Sequence, residues 1–190
     1  MSTVSRCQWC GDSDIYQQYH DTEWGLPLYD EQQLFEFLLL EGAQAGLSWI
    51  TILKKREGYR QAFDNFDAVK IAAYDRGKIA ELLLNPNIVR NNLKVNSAIK
   101  NARAFVAMQK SGESFVEFIW NFVGGQPRIN QFKKISDIPA TTPESDAMSK
   151  ALKIKGFNFV GSTICYAFMQ ATGMVNDHVV SCFRFKQCQR

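Results

Sequence analysis

The stretch "NDHVVSC" sets His178 and Cys182 four residues apart, one turn of a helix, and an imidazole and a thiolate at that spacing are half of a tetrahedral metal site. The chain has one other histidine, His20, and it also has thiols nearby: "CQWCGDSDIYQQYH" carries Cys7 and Cys10 upstream of it. Two thiolates and two imidazoles suit zinc. Four protein ligands leave no open position for water, so such a metal would be structural and would tie the start of the chain to its end. Spacing alone leaves two points open. Cys7 and Cys10 form a CxxC in which either thiol could be the ligand, and the same residues are compatible with unrelated buried histidines and cysteines.

A second feature is Glu41, in "LLLEGAQAGLSW", on one helical stripe with Leu34, Phe37, Leu38 and Ala45. An ionised glutamate is rarely buried alone, so either a cation or amide satisfies it or it lines a pocket. Trp9, Tyr16, Tyr19 and Trp24 precede it and Trp49 follows. Aromatic faces around one acceptor carboxylate suit a flat, electron-poor or cationic ligand such as a nucleobase; the same residues would also serve as ordinary core.

A third is "GFNFVG", bounded by Gly156 and Gly161 between helical segments at Ser145–Lys155 and Ser162–Thr172. Gly161 stands just before a helix N-terminus, where outward amides bind anions and glycine permits close approach. Phe157, Phe159 and Val160 would plug the hairpin into the core. Alone, such a hairpin is more often plain architecture than a phosphate site.

The elements that must position these groups are helical. Apolar residues recur at three- and four-residue spacing nearly everywhere, and no stretch reads as a strand. "SFVE" is a capping box from Ser114 to Glu117, closed by the glycines at 124–125. "TTPESDAMSKALKIKG" opens on cap chemistry and ends on Gly156, and "STICYAFMQATG" ends on Gly173. The longest irregular segment runs from Gly124 to about Glu144, with Lys133 and Lys134 as solvated surface. The expected class is all-α.

With 190 residues, 46% hydrophobic and 22% charged, the chain is long enough for one sizeable domain, taken as residues 1–190. Its longest apolar run is broken by Glu36 and Glu41, which argues for core helices over a membrane span. "MSTVSRCQWC" lacks the apolar region of a secretory signal, so a cytoplasmic location is expected, and five cysteines there read as thiols or ligands. A net charge of +3, with basic residues gathered in "LKKREGYR" and from Arg90 to Arg103, permits a nucleic-acid partner without requiring one.

"YHDTEWGLPLYD", "EGAQAGLSWITILKKREGYRQAFDNFD", "KGFNFVGSTICYAFMQATG" and "VNDHVVSC" together resemble the DNA-3-methyladenine glycosylase I family, in order, from about Cys7 to Cys182. The resemblance implies the all-α helix-hairpin-helix DNA glycosylase fold. It implies one structural zinc per chain, held by Cys7, His20, His178 and Cys182, in a clip formed from residues 7–20 and 178–182. Cys10 and Cys188 have no place in that pattern, and Cys165 reads as a buried thiol. The implied reaction is hydrolysis of the N-glycosidic bond of 3-methyladenine in alkylated double-stranded DNA, releasing the free base and leaving an abasic site. A monomer is implied, with no membrane contact.

By the same resemblance, Tyr16 and Trp49 stack on or flank the base, Glu41 hydrogen-bonds to it, and Trp9, Tyr19 and Trp24 complete the wall. The hairpin at about 145–173 would grip the DNA backbone through Gly156, Phe159, Gly161 and Ser162. Two departures from the wider superfamily stand out. Asn176 occupies the place of its catalytic aspartate, with Asp177 one residue off and aimed elsewhere. Thr163 stands where bifunctional members carry a Schiff-base lysine, so no lyase step is expected. Two other readings compete: a DNA-damage binder on the same scaffold that releases no base, and a zinc hydrolase using His20 and His178, which would need an open coordination position.

Overall fold

The computed structural model describes residues 4–189. The stretch read for a secretory signal, residues 1–10, includes residues 1–3, which lie outside that range. In chain order the helices are α1 (Asp14–Thr22), α2 (Glu31–Gln44), α3 (Trp49–Ala62), α4 (Ala68–Ala72), α5 (Arg76–Leu84), α6 (Asn92–Lys110), α7 (Phe115–Trp120), α8 (Pro143–Ile154), α9 (Ser162–Ala171) and α10 (Arg184–Gln187).

The element around which the others assemble is α2. Asp30 caps its N-terminus by accepting from the Gln33 amide at 2.8 Å. Every residue from Leu34 to Ala43 is buried, because α3, α6, α7 and α9 all pack on it. The stripe expected from the sequence is therefore too narrow, and Ala45 lies beyond the helix as its C-cap. The C-terminal carbonyls of α2 are capped from another helix: Lys94 of α6 donates to the Ala43 and Ala45 carbonyls, each at 2.7 Å. This fixes the end of the helix that carries Glu41.

The hairpin is α8, a tight turn and α9. Thr142 and Ser145 cap α8 reciprocally, with Pro143 in its first turn. Its C-terminus closes by amide-to-carbonyl bonds from Gly156 to Lys153 and from Phe157 to Leu152, both 3.0 Å, which require the positive φ of Gly156 (94°). Phe157 and Val160 are buried as expected, whereas Phe159 is only half-buried. Phe159 takes a left-handed backbone (φ 53°) that leaves it resting against Gly42 of α2. Two side chains hold the turn: Asn101 of α6 pairs with both backbone groups of Asn158 (2.7 and 3.0 Å), and Ser149 donates to the Val160 carbonyl at 2.6 Å.

Three local expectations are corrected. A two-residue parallel ladder joins β1 (Arg128–Ile129) to β2 (Val175–Asn176), too short to leave a periodic signal. At Ser114 only half of the capping box forms, its Oγ accepting from the Glu117 amide at 3.2 Å. The charges of "LKKREGYR" serve mainly as architecture: Arg56 bridges Glu23 and Glu36, Arg60 joins Glu36, and Lys55 caps the Pro86 carbonyl.

Candidate base-binding cavity and metal cluster

Near the N-terminus, Cys7 and Cys10 bracket a 3-10 turn (Gln8–Cys10), which projects Trp9 inward. One turn of α1 separates Tyr16 from His20, and that helix offers Tyr16 and Tyr19 to the cavity and His20 to the metal cluster. Trp24 follows it, α2 supplies Glu41, and α3 begins at Trp49. These residues meet around a cavity of about 360 Å³. The rings make an edge-packed wall: Trp9 lies 5.1 Å from Tyr16 and 4.9 Å from Trp24 by centroid, and Tyr19 lies 5.6 Å from Trp49.

Within this wall three buried polar atoms have no partner among the described residues: the indole N–H groups of Trp9 and Trp49, and Glu41 Oε2. Unsatisfied buried groups each cost about 1–3 kcal/mol, so three on residues that line one cavity point to a place where a ligand completes the hydrogen bonding. Glu41 is 2% exposed, and burial pushes its carboxyl up to about 8. Burial likewise raises the phenols of Tyr16 and Tyr19.

The opposite side of the cavity was not legible in the sequence. It is made by Thr163, Tyr166, Ala167 and Gln170 of α9, and by Ile135, Ile138 and Pro139 from the irregular segment. The first group sits on a helix whose apolar face reads simply as core; the second lies where no period exists to read. Lys133 and Lys134 are exposed beside it.

Behind the aromatic wall, Cys7, His20, His178 and Cys182 converge, all buried, with their ligand atoms within 4.8 Å of one another. His20 Nδ1 lies 2.7 Å from Asp21 Oδ1, and Arg6 grips that carboxylate, which leaves Nε2 for the cluster. His178 Nε2 lies 3.0 Å from the Trp24 carbonyl, to which it donates, leaving Nδ1. The interaction between the two thiols raises Cys7 and lowers Cys182. Cys10 is buried outside the set, its thiol donating to the Cys7 carbonyl at 3.0 Å. Cluster and cavity share a wall: the Trp24 and His178 rings meet at 4.6 Å and 82°.

At the hairpin, Gly161 and Ser162 begin α9, and among the described residues no amide from Phe159 to Thr163 donates to another group of the chain. Gly156 belongs to the helix closure described above and turns its chain into this segment.

The model of the methyladenine glycosylase family matches residues 9–185. The chain belongs to the methyladenine glycosylase family. It is 52% identical over 179 residues to DNA-3-methyladenine glycosylase 1 of Escherichia coli (strain K12), covering 94% of this chain and 96% of that protein. Against DNA-3-methyladenine glycosylase of Haemophilus influenzae the identity is 50%, covering 94% and 97%. A crystal structure of 3-methyladenine DNA glycosylase I superposes with a TM-score of 0.93 at 54% identity, covering 94% of this chain and 98% of that one. A tyrosine-to-phenylalanine variant of 3-methyladenine DNA glycosylase I, in complex with 3-methyladenine, superposes at 0.91 with 34% identity, covering 97% of each. The fold is thus the all-α methyladenine glycosylase fold.

Neither Asn176, expected at the place of a catalytic aspartate, nor its neighbour Asp177 lines the cavity. Asn176 is fully buried, its amide donating to the Phe185 carbonyl at 2.9 Å. Asp177 is also fully buried and does not line the cavity. It sits directly behind Tyr166 and Gln170, which do.

Proposed function

We propose that the protein is a DNA-3-methyladenine glycosylase that hydrolyses the N-glycosidic bond of 3-methyladenine in alkylated DNA and leaves an abasic site. Membership of the family supports this, and so do the partners named in its relatives' structures. The observation that carries it in this chain is the aromatic-walled cavity whose lining residues Glu41, Trp9 and Trp49 hold an unpaired carboxylate oxygen and two unpaired indole N–H groups.

Methylation at N3 leaves the adenine cationic, so the base departs as a neutral molecule and little leaving-group protonation is needed. The remaining tasks are to extrude the nucleotide, hold the cation between aromatic faces and admit water to an oxocarbenium-like transition state. Trp9, Tyr16, Tyr19, Trp24 and Trp49 provide the faces, and Glu41 the opposing charge. The absence of an aspartate at the Asn176 position is compatible with this chemistry, and it restricts the enzyme to bases that leave readily. Among the described residues no lysine lines the cavity, and Thr163 stands at the Schiff-base position, which supports a hydrolysis-only, monofunctional reaction.

In this reading the metal cluster binds one structural zinc. In a tetrahedron with Zn–S of about 2.3 Å and Zn–N of about 2.0–2.1 Å, sulfur and nitrogen lie roughly 3.5 Å apart. Three of the four S···N separations are 3.4, 3.5 and 3.6 Å, from Cys182 to His20 and His178 and from Cys7 to His178, and all four ligand atoms lie within 4.8 Å of one another. Four protein ligands give the ion a structural role and argue against a zinc hydrolase. The chain acts as one monomeric domain in the cytoplasm; among the described residues no helix is long and apolar enough to cross a membrane.

Incubation with alkylated DNA, followed by separation of the released bases, tests the reaction: free 3-methyladenine and abasic sites should appear together. Tight binding of the damaged DNA with no base released would instead make the protein a damage binder.

The hairpin's part has its own test. Gly161 has an ordinary φ of −63° and a Cβ there would meet nothing within 4 Å, so Gly161→Asp should fold normally. It places a negative charge where the amides would receive a phosphate. Losing a charge-assisted contact costs about 1.5–3 kcal/mol, so DNA affinity should fall roughly ten- to a hundredfold while affinity for free 3-methyladenine is kept. Equal loss of both would reveal a folding defect in place of a lost contact.

A further inference from the structure

Asp177 accepts three hydrogen bonds in the interior, from Asn130 Nδ2 at 2.7 Å, the Tyr166 hydroxyl at 2.6 Å and Gln170 Nε2 at 2.8 Å. Tyr166 and Gln170 are one turn apart on α9 and both line the cavity. The bond to Gln170 has a directional consequence. A carboxylate is an acceptor, so Gln170 must offer it the amine end of its amide. Among the described residues the other end, Oε1, has no hydrogen-bond partner, and it is not one of the fully buried unpaired atoms. A glutamine free to rotate can present either a donor or an acceptor to a ligand; this one is held with its acceptor free.

We infer that Gln170 is a specificity-determining residue, its Oε1 accepting from the exocyclic amine of the bound base, and that Asp177 is the positioning residue that keeps the amide in that orientation. The inference rests on the glycosylase reading above and adds what that reading lacks. Attraction of a cation does not separate N3-methylated adenine from N3-methylated guanine, since both carry the charge. Their edges do separate them: adenine presents an amine donor where guanine presents the O6 acceptor. With Glu41 and Gln170 both offering acceptor oxygens, an O6 at that place meets oxygen and goes unpaired.

The test is the ratio of 3-methyladenine to 3-methylguanine released from one preparation of methylated DNA, a readout that partial loss of folded protein does not move. Wild type should favour 3-methyladenine. Gln170→Leu, at a half-buried position, should lower the ratio about tenfold or more. Asp177→Asn should lower it as well, by presenting an amide donor to Gln170 and allowing its amide to turn; metal content and melting temperature monitor the adjacent His178. A ratio unchanged in Gln170→Leu overturns the inference while leaving the glycosylase reading intact. A fall in Gln170→Leu with none in folded Asp177→Asn removes the positioning role of Asp177. Release of neither base by wild type overturns the glycosylase reading itself.

Discussion

Cys7→Ser or His178→Ala should abolish stoichiometric zinc binding and lower the melting temperature by roughly 10–20 °C, taking the loss of a structural metal as about 4–5 kcal/mol and 2–4 °C per kcal/mol in a chain of this size. The clip joins residues near both ends of the chain, and its four side chains are all buried. The same variants should lose affinity for 3-methyladenine even where they remain folded. Trp9 stands in the turn that directly follows Cys7, and the Trp24 carbonyl receives the His178 N–H, so release of the cluster frees two faces of the cavity wall. Cys10→Ser should keep the metal, because that thiol points to the Cys7 carbonyl and lies outside the four-residue set. Metal analysis and thermal melting of the three variants decide the assignment. Zinc lost in Cys10→Ser and retained in Cys7→Ser would reverse it.

Rarity made the metal cluster legible. With two histidines in the chain, each near a cysteine, few four-residue sets exist, and the resemblance selected Cys7 over Cys10. Glu41 was legible because a carboxylate among leucines demands an explanation, and the hairpin because glycines bound it. The far wall of the cavity was hidden for a physical reason: Tyr166 and Gln170 share a helix with Cys165, Phe168 and Met169, which are core, and period alone does not say which side of a fully packed helix faces a void. Asp177 depends on Asn130, a partner 47 residues away that only the β1–β2 ladder brings near.

The clustered charges left two readings open, a nucleic-acid face or plain helix surface. Arg56 and Arg60 look like a nucleic-acid face until Glu23 and Glu36 are seen to receive them. Another unreadable feature is the turn at Asp64, Asn65 and Phe66, left-handed at φ 49°, 54° and 59° without a glycine. It is stabilised from outside, by Gln32 donating to the Asn65 carbonyl and Tyr74 to Asp64. Such a conformation follows from tertiary partners rather than local preference.

Glu41→Gln should reduce excision of 3-methyladenine about ten- to a hundredfold, the value of one charge-assisted hydrogen bond of roughly 1.5–3 kcal/mol. The carboxylate can accept from the exocyclic amine and oppose the charge of the methylated base; the amide keeps the shape, lacks the charge and can turn a donor toward the amine. The pH dependence isolates the charge. Burial holds the Glu41 carboxyl at about 8 in the free protein, against an ordinary value of 4.5, so excision by wild type should climb as pH rises toward 8 and the carboxylate forms. The variant should lack that climb. Stability runs the other way. The folded state holds this proton more tightly than the unfolded chain, so Glu41 lowers stability progressively as pH rises from about 4.5 to 8, and the loss is complete above both values. Glu41→Gln removes that penalty and should melt at a higher temperature than wild type at pH 8, with the difference shrinking toward pH 5. A variant that is more stable and less active places Glu41 in the reaction and excludes misfolding as the cause. Abolished activity would point to general-base chemistry beyond base binding. Unchanged excision, with an unchanged pH profile, would remove Glu41 from the site.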